Sequence, residues 1–296
     1  MAMKKKCGKP AWLRRKLPSG GDYEKIRQLV NNNHLATVCQ EAMCPNQFEC
    51  YGSGTATFMI LGDHCTRNCT FCAVQHGPMG PPDKQEPQRV AEAIQTMGLR
   101  YAVITSVTRD DLEDGGADHF VRTIAAIRKT MPDTLIEVLI PDLQGNWAAL
   151  QEIVQAAPDV LNHNLETIER LYATVRPQAI YHRSLELIRK VKEIEPTMIT
   201  KSGVMVGLGE QRHELHTAFN DLLNSECDIL TLGQYLQPSK KHLEVKRFLP
   251  PEEFDELSQE ALKLGFGGVA SAPFVRSSYK AEELYNAVIA KRSLAS

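Results

Sequence analysis

Six of the eight cysteines fall between positions 39 and 72, as two triplets of different spacing. Cys39, Cys44 and Cys50 read C-x4-C-x5-C, and Cys65, Cys69 and Cys72 read C-x3-C-x2-C. A closed zinc or iron–sulfur site normally takes four protein ligands, so three thiolates leave one metal position open to a substrate, a cofactor or an unusual fourth residue. Two such sets in one short stretch point to chemistry at open iron and not to a structural staple. Cys227 precedes the apolar pair Ile229-Leu230 and reads as a small buried hydrophobe. Cys7 lies in a basic segment and is assigned no role. The nine histidines are not read as a zinc set, and His163 is read as structural.

The elements that must position these thiols alternate between strand and helix. Strands are expected at 57–62, 101–107, 134–140, 160–164, 197–207, 228–235 and 268–272. Helices are expected at 87–99, 118–129, 147–157, 181–194, 210–225 and 251–264. Val90, Ala93, Ile94 and Met97 share one helical face, as do Phe120, Val121, Ile124 and Ile127. Near-continuous apolar strands between amphipathic helices predict a parallel sheet buried on both faces. About six βα units fit an α/β fold of the partial (β/α)6 TIM-barrel type, with a doubly wound sheet as the alternative. Cys65–Cys72 then lies in the first βα loop, at the end of a barrel where active sites gather.

Composition fits a folded enzyme with a sizeable core. The chain has 296 residues, 43% apolar, with a formal net charge of -2, which gives no reason to expect nucleic-acid binding. No apolar run is long enough to span a membrane. The basic segment (Lys4, Lys5, Lys6, Lys9, Arg14, Arg15, Lys16) has no apolar stretch after it, so it is not read as a secretory signal and a cytoplasmic protein is expected. In a reducing compartment, clustered cysteines bind metal more often than they form disulfides.

With an aromatic, Phe71, just before its last cysteine, the C-x3-C-x2-C motif after the first predicted strand resembles that of the radical S-adenosylmethionine enzymes. The upstream triplet narrows the resemblance to the lipoyl synthase family. So do Lys9-Pro-Ala-Trp-Leu-Arg14, Asn162-His-Asn-Leu-Glu-Thr167, Val175-Arg-Pro177 and Arg276-Ser-Ser-Tyr279, and these matches span nearly the whole chain.

The resemblance implies two [4Fe–4S] clusters and S-adenosylmethionine as cofactors. Cys65, Cys69 and Cys72 would hold the cluster that binds and cleaves S-adenosylmethionine. Cys39, Cys44 and Cys50 would hold an auxiliary cluster that donates sulfur, with the Ser278 oxygen as its fourth ligand and Ser277 as the other serine of the motif. The implied reaction inserts sulfur at C6 and C8 of an octanoyl chain on a lysine of a lipoyl-domain carrier protein. An electron donor such as ferredoxin or flavodoxin is implied too. An oxygen ligand is harder than a thiolate and suits a position that must let iron go. Residues 1–55 are expected to carry the auxiliary triplet, 56–272 the barrel, and 273–296 the Arg-Ser-Ser-Tyr motif, with both extensions over the barrel mouth.

Polar residues near predicted strand ends are candidates for S-adenosylmethionine binding: Thr105, Ser106, Asn162, Asn164, Glu166, Arg176 and Glu210. Among them Arg176 offers a fork of donors suited to a carboxylate. The alternatives are helix caps for Thr105 and Ser106 and surface acids for Glu166 and Glu210. A biotin-synthase-like sulfur inserter, or a non-catalytic iron–sulfur or zinc protein, are the competing functional readings.

Overall fold

The computed structural model describes residues 9–14, 21–52 and 55–295. Lys4, Lys5, Lys6, Cys7, Arg15 and Lys16 of the basic segment lie outside the described residues.

The strands are β1 (Ala36–Thr37), β2 (Thr57–Ile60), β3 (Tyr101–Ser106), β4 (Leu135–Leu139), β5 (Val160–Asn162), β6 (Ile199–Val206), β7 (Ile229–Gln234) and β8 (Gly268–Ala272). They form one sheet in chain order, β1 through β8. Every neighbouring pair from β2 to β8 is parallel, and β1 pairs with β2 antiparallel. The last strand is not paired back to the first, so the sheet is an open, partial barrel.

Between the parallel strands run α2 (Glu86–Met97), α3 (Ala117–Thr130), α4 (Trp147–Gln155), α5 (Tyr181–Ile194), α6 (Arg212–Asn224) and α7 (Pro251–Leu264). These follow α1 (Gly21–Asn32) and precede α8 (Ala281–Ala295), neither of which the sequence reading had assigned. The six βα units are therefore followed by a seventh parallel strand. Each residue of β2 and of β7 is buried, as an apolar strand covered on both faces requires. Helix α2 buries Val90, Ala93 and Ile94 on the expected face and stops at left-handed Gly98.

The extensions, expected together over the mouth, divide: the serine loop of the C-terminal segment reaches the mouth, where Ser277 meets Asn164, while β1 and α8 lie elsewhere. Ala36 pairs with Met59 and Thr37 with Phe58, so the chain leaving β1 heads toward the N-terminal end of β2. Helix α8 packs Leu284, Val288 and Tyr285 against Val160, Ile199 and Ile229, the first residues of their strands. The physical reason is apolar: the strands begin with bare hydrophobic side chains, and α8 takes them out of water. The mouth at the opposite end is left to the loops, the serine loop of the C-terminal segment among them.

The barrel interior holds a buried ion pair. Lys201 Nζ on β6 lies 2.9 and 3.0 Å from the two carboxylate oxygens of Glu137 on β4, and both side chains are fully buried. Tyr101 donates to the same carboxylate at 2.7 Å and Asn162 at 2.9 Å. Removing one partner leaves a buried charge uncompensated, which costs about 3–5 kcal/mol. Lys201→Met is therefore expected to lose about that much in urea unfolding of the apoprotein. Adding Glu137→Gln, which removes the uncompensated charge and keeps one acceptor oxygen, for Asn162, while its NH2 can donate to the Tyr101 hydroxyl, is expected to recover roughly half of the loss or more. Equal stability of Lys201→Met and the unsubstituted protein would contradict this account.

Candidate metal centres

Downstream of β2 the chain turns at Leu61 and Gly62, both left-handed, and enters the first cysteine loop. Residues His64–Cys65 pair with Gln75–His76 as a small ribbon that closes this loop on itself. Its interior is tied to three other loops. Thr66 Oγ1 donates to the Thr108 carbonyl at 2.9 Å and accepts from the Asp110 amide at 3.0 Å. Thr70 donates from its amide to Val175 and from its hydroxyl to Thr174. His242 Nε2 donates to the Cys72 carbonyl at 2.9 Å, bringing the long loop after β7 across the site.

The strongest tie is Arg67, between Cys65 and Cys69. Its guanidinium forks onto Asp110 at 2.6 and 2.9 Å and reaches Asp142 at 2.5 Å. Burial alone would raise the Asp142 pKa, but the Arg67 hydrogen bond and charge outweigh it and hold the carboxyl at about 2. Two anions from the β3 and β4 loops thus pin the middle of the cysteine loop.

The thiols suit a soft, polynuclear cation. Cys65 Sγ accepts amide hydrogens from Arg67 and Thr108, each at 3.4 Å. Burial pushes the Cys72 thiol up to about 12, and the neighbouring Cys69 and Cys65 push the same way. Burial also raises Cys69, against the charge of Arg176. Three half-buried thiols that repel one another as thiolates ionise when a cation compensates them. Among the described residues, no three His, Cys, Asp or Glu side chains converge as a single-ion site would require. The H-x-x-H pair His213 and His216 is exposed on α6, and His216 hydrogen-bonds Asn220. The donor set therefore fits an iron–sulfur cluster better than a lone zinc.

Beside this loop, the chain after β5 supplies a polar wall. Asn164, Glu166 and Arg176 come together there. Arg176 Nη1 donates to the Asn164 carbonyl at 2.9 Å, and Asn164 Nδ2 donates to Glu166 Oε1 at 3.1 Å. Glu166 has φ 67°, a left-handed backbone that a non-glycine residue adopts at a cost. Burial raises its pKa, and the nearby Arg176 charge opposes the rise. Four buried polar atoms find no protein partner here and nearby: Arg176 Nε, Asn164 Oδ1, Asn162 Oδ1 and Ser106 Oγ. Orphaned buried donors and acceptors are costly, so a polar ligand on this wall fits them.

The other candidates are placed differently. Thr105 donates to the Leu139 carbonyl at 2.9 Å, within the sheet. Neither Thr105 nor Ser106 caps a helix, since α3 starts after Gly116. Both Glu210 oxygens accept amides of its own turn, from Gly207 at 2.6 Å and Leu208 at 2.9 Å, so Glu210 shapes that turn. His163 is buried between the Ile140 carbonyl and Ser184, and burial holds its pKa down at about 4, a structural histidine as expected.

At the opposite end of β2 lies the second triplet. Cys39 begins just after Thr37, which caps the short helix Val38–Glu41. The Cys44 amide donates to the Cys39 carbonyl, closing the loop between these two cysteines. Burial pushes the Cys39 thiol to about 12, with Cys44 and Cys50 adding to the rise and the nearby Thr57 backbone opposing it. The Arg-Ser-Ser-Tyr segment arrives from the far end of the chain. Ser278 Oγ accepts from Thr57 Oγ1 at 2.8 Å, Tyr279 donates to Glu49, and Asn46 donates to the Phe274 carbonyl. Ser277 faces the other way and accepts from Asn164 Nδ2 at 2.6 Å. Three neighbouring thiols, with the Ser278 hydroxyl brought to Thr57 beside Cys39, fit a cluster with one oxygen ligand. Cys227 is buried, apart from both sets.

Residues 59–222 match the model of the radical SAM superfamily, and residues 2–44 match the N-terminal domain of lipoyl synthase. A lipoyl synthase of Desulfotalea psychrophila is 65% identical over 280 residues, 95% of this chain and 94% of that one. That of Alkaliphilus metalliredigens is 55% identical over 275 residues, covering 93% and 95%. The chain belongs to the lipoyl synthase family of the radical SAM superfamily. The fold is shared with methylornithine synthase (TM-score 0.50, 14% identity, covering 89% of this chain and 85% of that one). It is also shared with Streptococcus suis SuiB, solved bound to S-adenosylmethionine (TM-score 0.55, 9% identity). That match covers 70% of this chain but about half of SuiB, 46%.

Within this family fold, three positions escaped the sequence reading. Arg67 carried a signal, as a charged residue inside a cysteine loop upstream of an acidic segment. Thr57 carried a weaker one, a hydroxyl opening a buried strand. Gly233 is a glycine inside an apolar strand, which marks a close backbone approach. A Cβ there would sit 2.1 Å from the Val275 carbonyl and 3.0 Å from Arg276 Nη1, so the bare strand is the seat of the serine loop. Gly233→Ala is expected to lower iron bound by Cys39, Cys44 and Cys50 severalfold while sparing iron bound by Cys65, Cys69 and Cys72. Iron and sulfide analysis, with each triplet in turn replaced by Ala, reads the two pools separately. Equal loss from both pools would contradict this seating.

Proposed function

We propose that this protein inserts two sulfur atoms, at C6 and C8, into an octanoyl chain carried as N6-octanoyl-lysine on a lipoyl-domain protein, forming the lipoyl cofactor. The observation that carries the reading is the pair of open thiol triplets at opposite ends of β2, with Ser278 hydrogen-bonded to Thr57 and Cys39 beside it. The family membership supports it.

When bound, S-adenosylmethionine and two [4Fe–4S] clusters supply a 5′-deoxyadenosyl radical, the electron that generates it, and the sulfur. Cys65, Cys69 and Cys72 hold the first cluster, and the Arg67 clamp fixes their loop. Arg176 Nε and the free oxygen of Asn164 are the groups that would bind the carboxylate and ammonium of S-adenosylmethionine, with Glu166 beside them. Asn162 and Ser106 offer further polar atoms deeper in the barrel. Cys39, Cys44, Cys50 and Ser278 hold the second cluster. Its oxygen ligand makes one iron easier to release than the rest. The unit thus divides into residues 1–55 with the auxiliary triplet, the barrel at 56–272, and 273–296 with the serine loop. The electron comes from a small reductant protein of the ferredoxin or flavodoxin kind.

Anaerobic incubation with S-adenosylmethionine, dithionite and an octanoylated lipoyl-domain peptide is expected to add two sulfur atoms to the peptide by mass. Cys69→Ala is expected to abolish 5′-deoxyadenosine formation, because each thiolate is one of only three anchors. Cys44→Ala is expected to keep 5′-deoxyadenosine formation and lose sulfur insertion. Normal lipoyl product from Cys44→Ala would remove the donor role from that triplet.

Ser278→Ala is expected to retain most of the iron and lose sulfur insertion by at least about tenfold, since one iron loses its oxygen ligand. Ser277→Ala is expected to be milder toward the auxiliary cluster, because its hydroxyl faces Asn164. Wild-type yield from Ser278→Ala together with loss in Ser277→Ala would reverse the assignment of the two serines.

A further inference from the structure

Thr57 occupies an unusual position for a hydroxyl-bearing residue. It opens a strand whose other members are Phe58, Met59 and Ile60, and it is buried. Its backbone lies beside the thiol of Cys39. Its side chain meets the hydroxyl of Ser278, 221 residues away in sequence, at 2.8 Å. One residue on a rigid strand thus adjoins two candidate ligands that come from opposite ends of the chain. No other residue of β2 reaches toward the serine loop through a side-chain hydrogen bond among those described.

We propose that Thr57 is a positioning residue for the auxiliary cluster, its hydroxyl orienting the Ser278 oxygen toward iron. The inference rests on the reading of Ser278 as a ligand. Chemistry fixes the direction of the bond. A serine oxygen on iron has given up its proton and can only accept, so Thr57 is the donor. Donation occupies one lone pair of Ser278 Oγ and leaves the others free to bind iron. It also draws charge from the oxygen, which weakens its hold on iron enough for ordered release while keeping it in place beforehand. The strand supplies what a loop does not: Thr57 is buried and paired with Val103 of β3, so it is a fixed reference for a ligand that arrives on a loop.

The test isolates the hydroxyl. Thr57→Val keeps the shape and the backbone beside Cys39, and removes only the donor to Ser278. Thr57→Ser restores the donor. Both are made with Cys65, Cys69 and Cys72 replaced by Ala, so that the auxiliary cluster is the sole iron pool, and thermal melting confirms folding. The readout is the rate at which a chelator removes the first iron, together with the Mössbauer signature of that iron.

Thr57→Val is expected to change the first-iron rate by about five- to tenfold, the weight of one hydrogen bond to a charged acceptor, and to shift the signature of one iron only. Thr57→Ser is expected to return both to within about twofold of the parent. In a Ser278→Ala background, Thr57→Val is expected to add nothing, because the group it orients is gone. An unchanged rate and signature in Thr57→Val, while Ser278→Ala alters them, overturns the positioning role and leaves the ligand reading standing. A full Thr57→Val effect on top of Ser278→Ala overturns it too, since Thr57 then acts by another route. If Ser278→Ala itself alters neither readout, the ligand reading fails, and the proposal fails with it.

Discussion

A strand of four residues, Thr57–Ile60, stands between the two cysteine triplets, and the rest of the molecule is arranged about it. At about 3.3 Å per residue it spans roughly 10 Å. One triplet hangs from its N-terminal end through Thr57, and the other follows its C-terminal end after a left-handed turn at Leu61 and Gly62. The strand is buried on both faces and paired on both sides, so its length is a rigid spacing between two reactive centres. A radical centre and a sulfur donor that act in turn on one chain need a fixed separation, and a buried strand is the stiffest short element a protein has for that purpose.

Charge keeps the two ends distinct. Around Cys65–Cys72, cations and anions alternate: Arg67 between Asp110 and Asp142, and Arg176 beside Glu166. Arg176 lowers the cost of ionising Cys69 while Glu166 raises it. The wall therefore combines fixed positive charge for a carboxylate with fixed negative charge for an ammonium, and leaves Arg176 Nε and Asn164 Oδ1 unpaired. At Cys39 no such pairs are seen, and the thiol is buried beside the Thr57 backbone. The first environment suits a charged organic cofactor. The second, with Thr57, Asn46 and Tyr279 holding the serine loop, suits a cluster held by its ligands.

The two serines of the Arg-Ser-Ser-Tyr segment join these environments. Ser277 contacts Asn164, which contacts Glu166, and Ser278 contacts Thr57, which lies beside Cys39. Ser277 and Ser278 are the central residues of a turn closed by the Tyr279 amide on the Arg276 carbonyl, and their side chains leave it toward different partners. Gly233 permits this, because a side chain there would meet the Val275 carbonyl at 2.1 Å. The serine loop is thus seated on the sheet interior and not draped over the outside.

Spacing and period carried most of what was legible in the sequence. The two thiol triplets declare their open-site chemistry by ligand count alone, and the alternation of apolar strands with amphipathic helices declares a parallel sheet, because both are local properties of consecutive residues. Helix α5 and helix α7 have the expected bounds, and the other main elements lie within a few residues of them. Three things were decided only by the tertiary structure. Strand β1 lies along the open edge and α8 against the strand starts, because antiparallel pairing of β1 with β2 and the bare apolar strand ends at Val160, Ile199 and Ile229 set where they dock. Glu210 shapes its own turn while Asn164, Glu166 and Arg176 converge, since a strand-end position does not say whether backbone amides claim a carboxylate first. Thr57 and Ser278 meet across 221 positions of sequence, and no local pattern encodes a contact at that separation; it exists only once the sheet has brought the chain's two ends together.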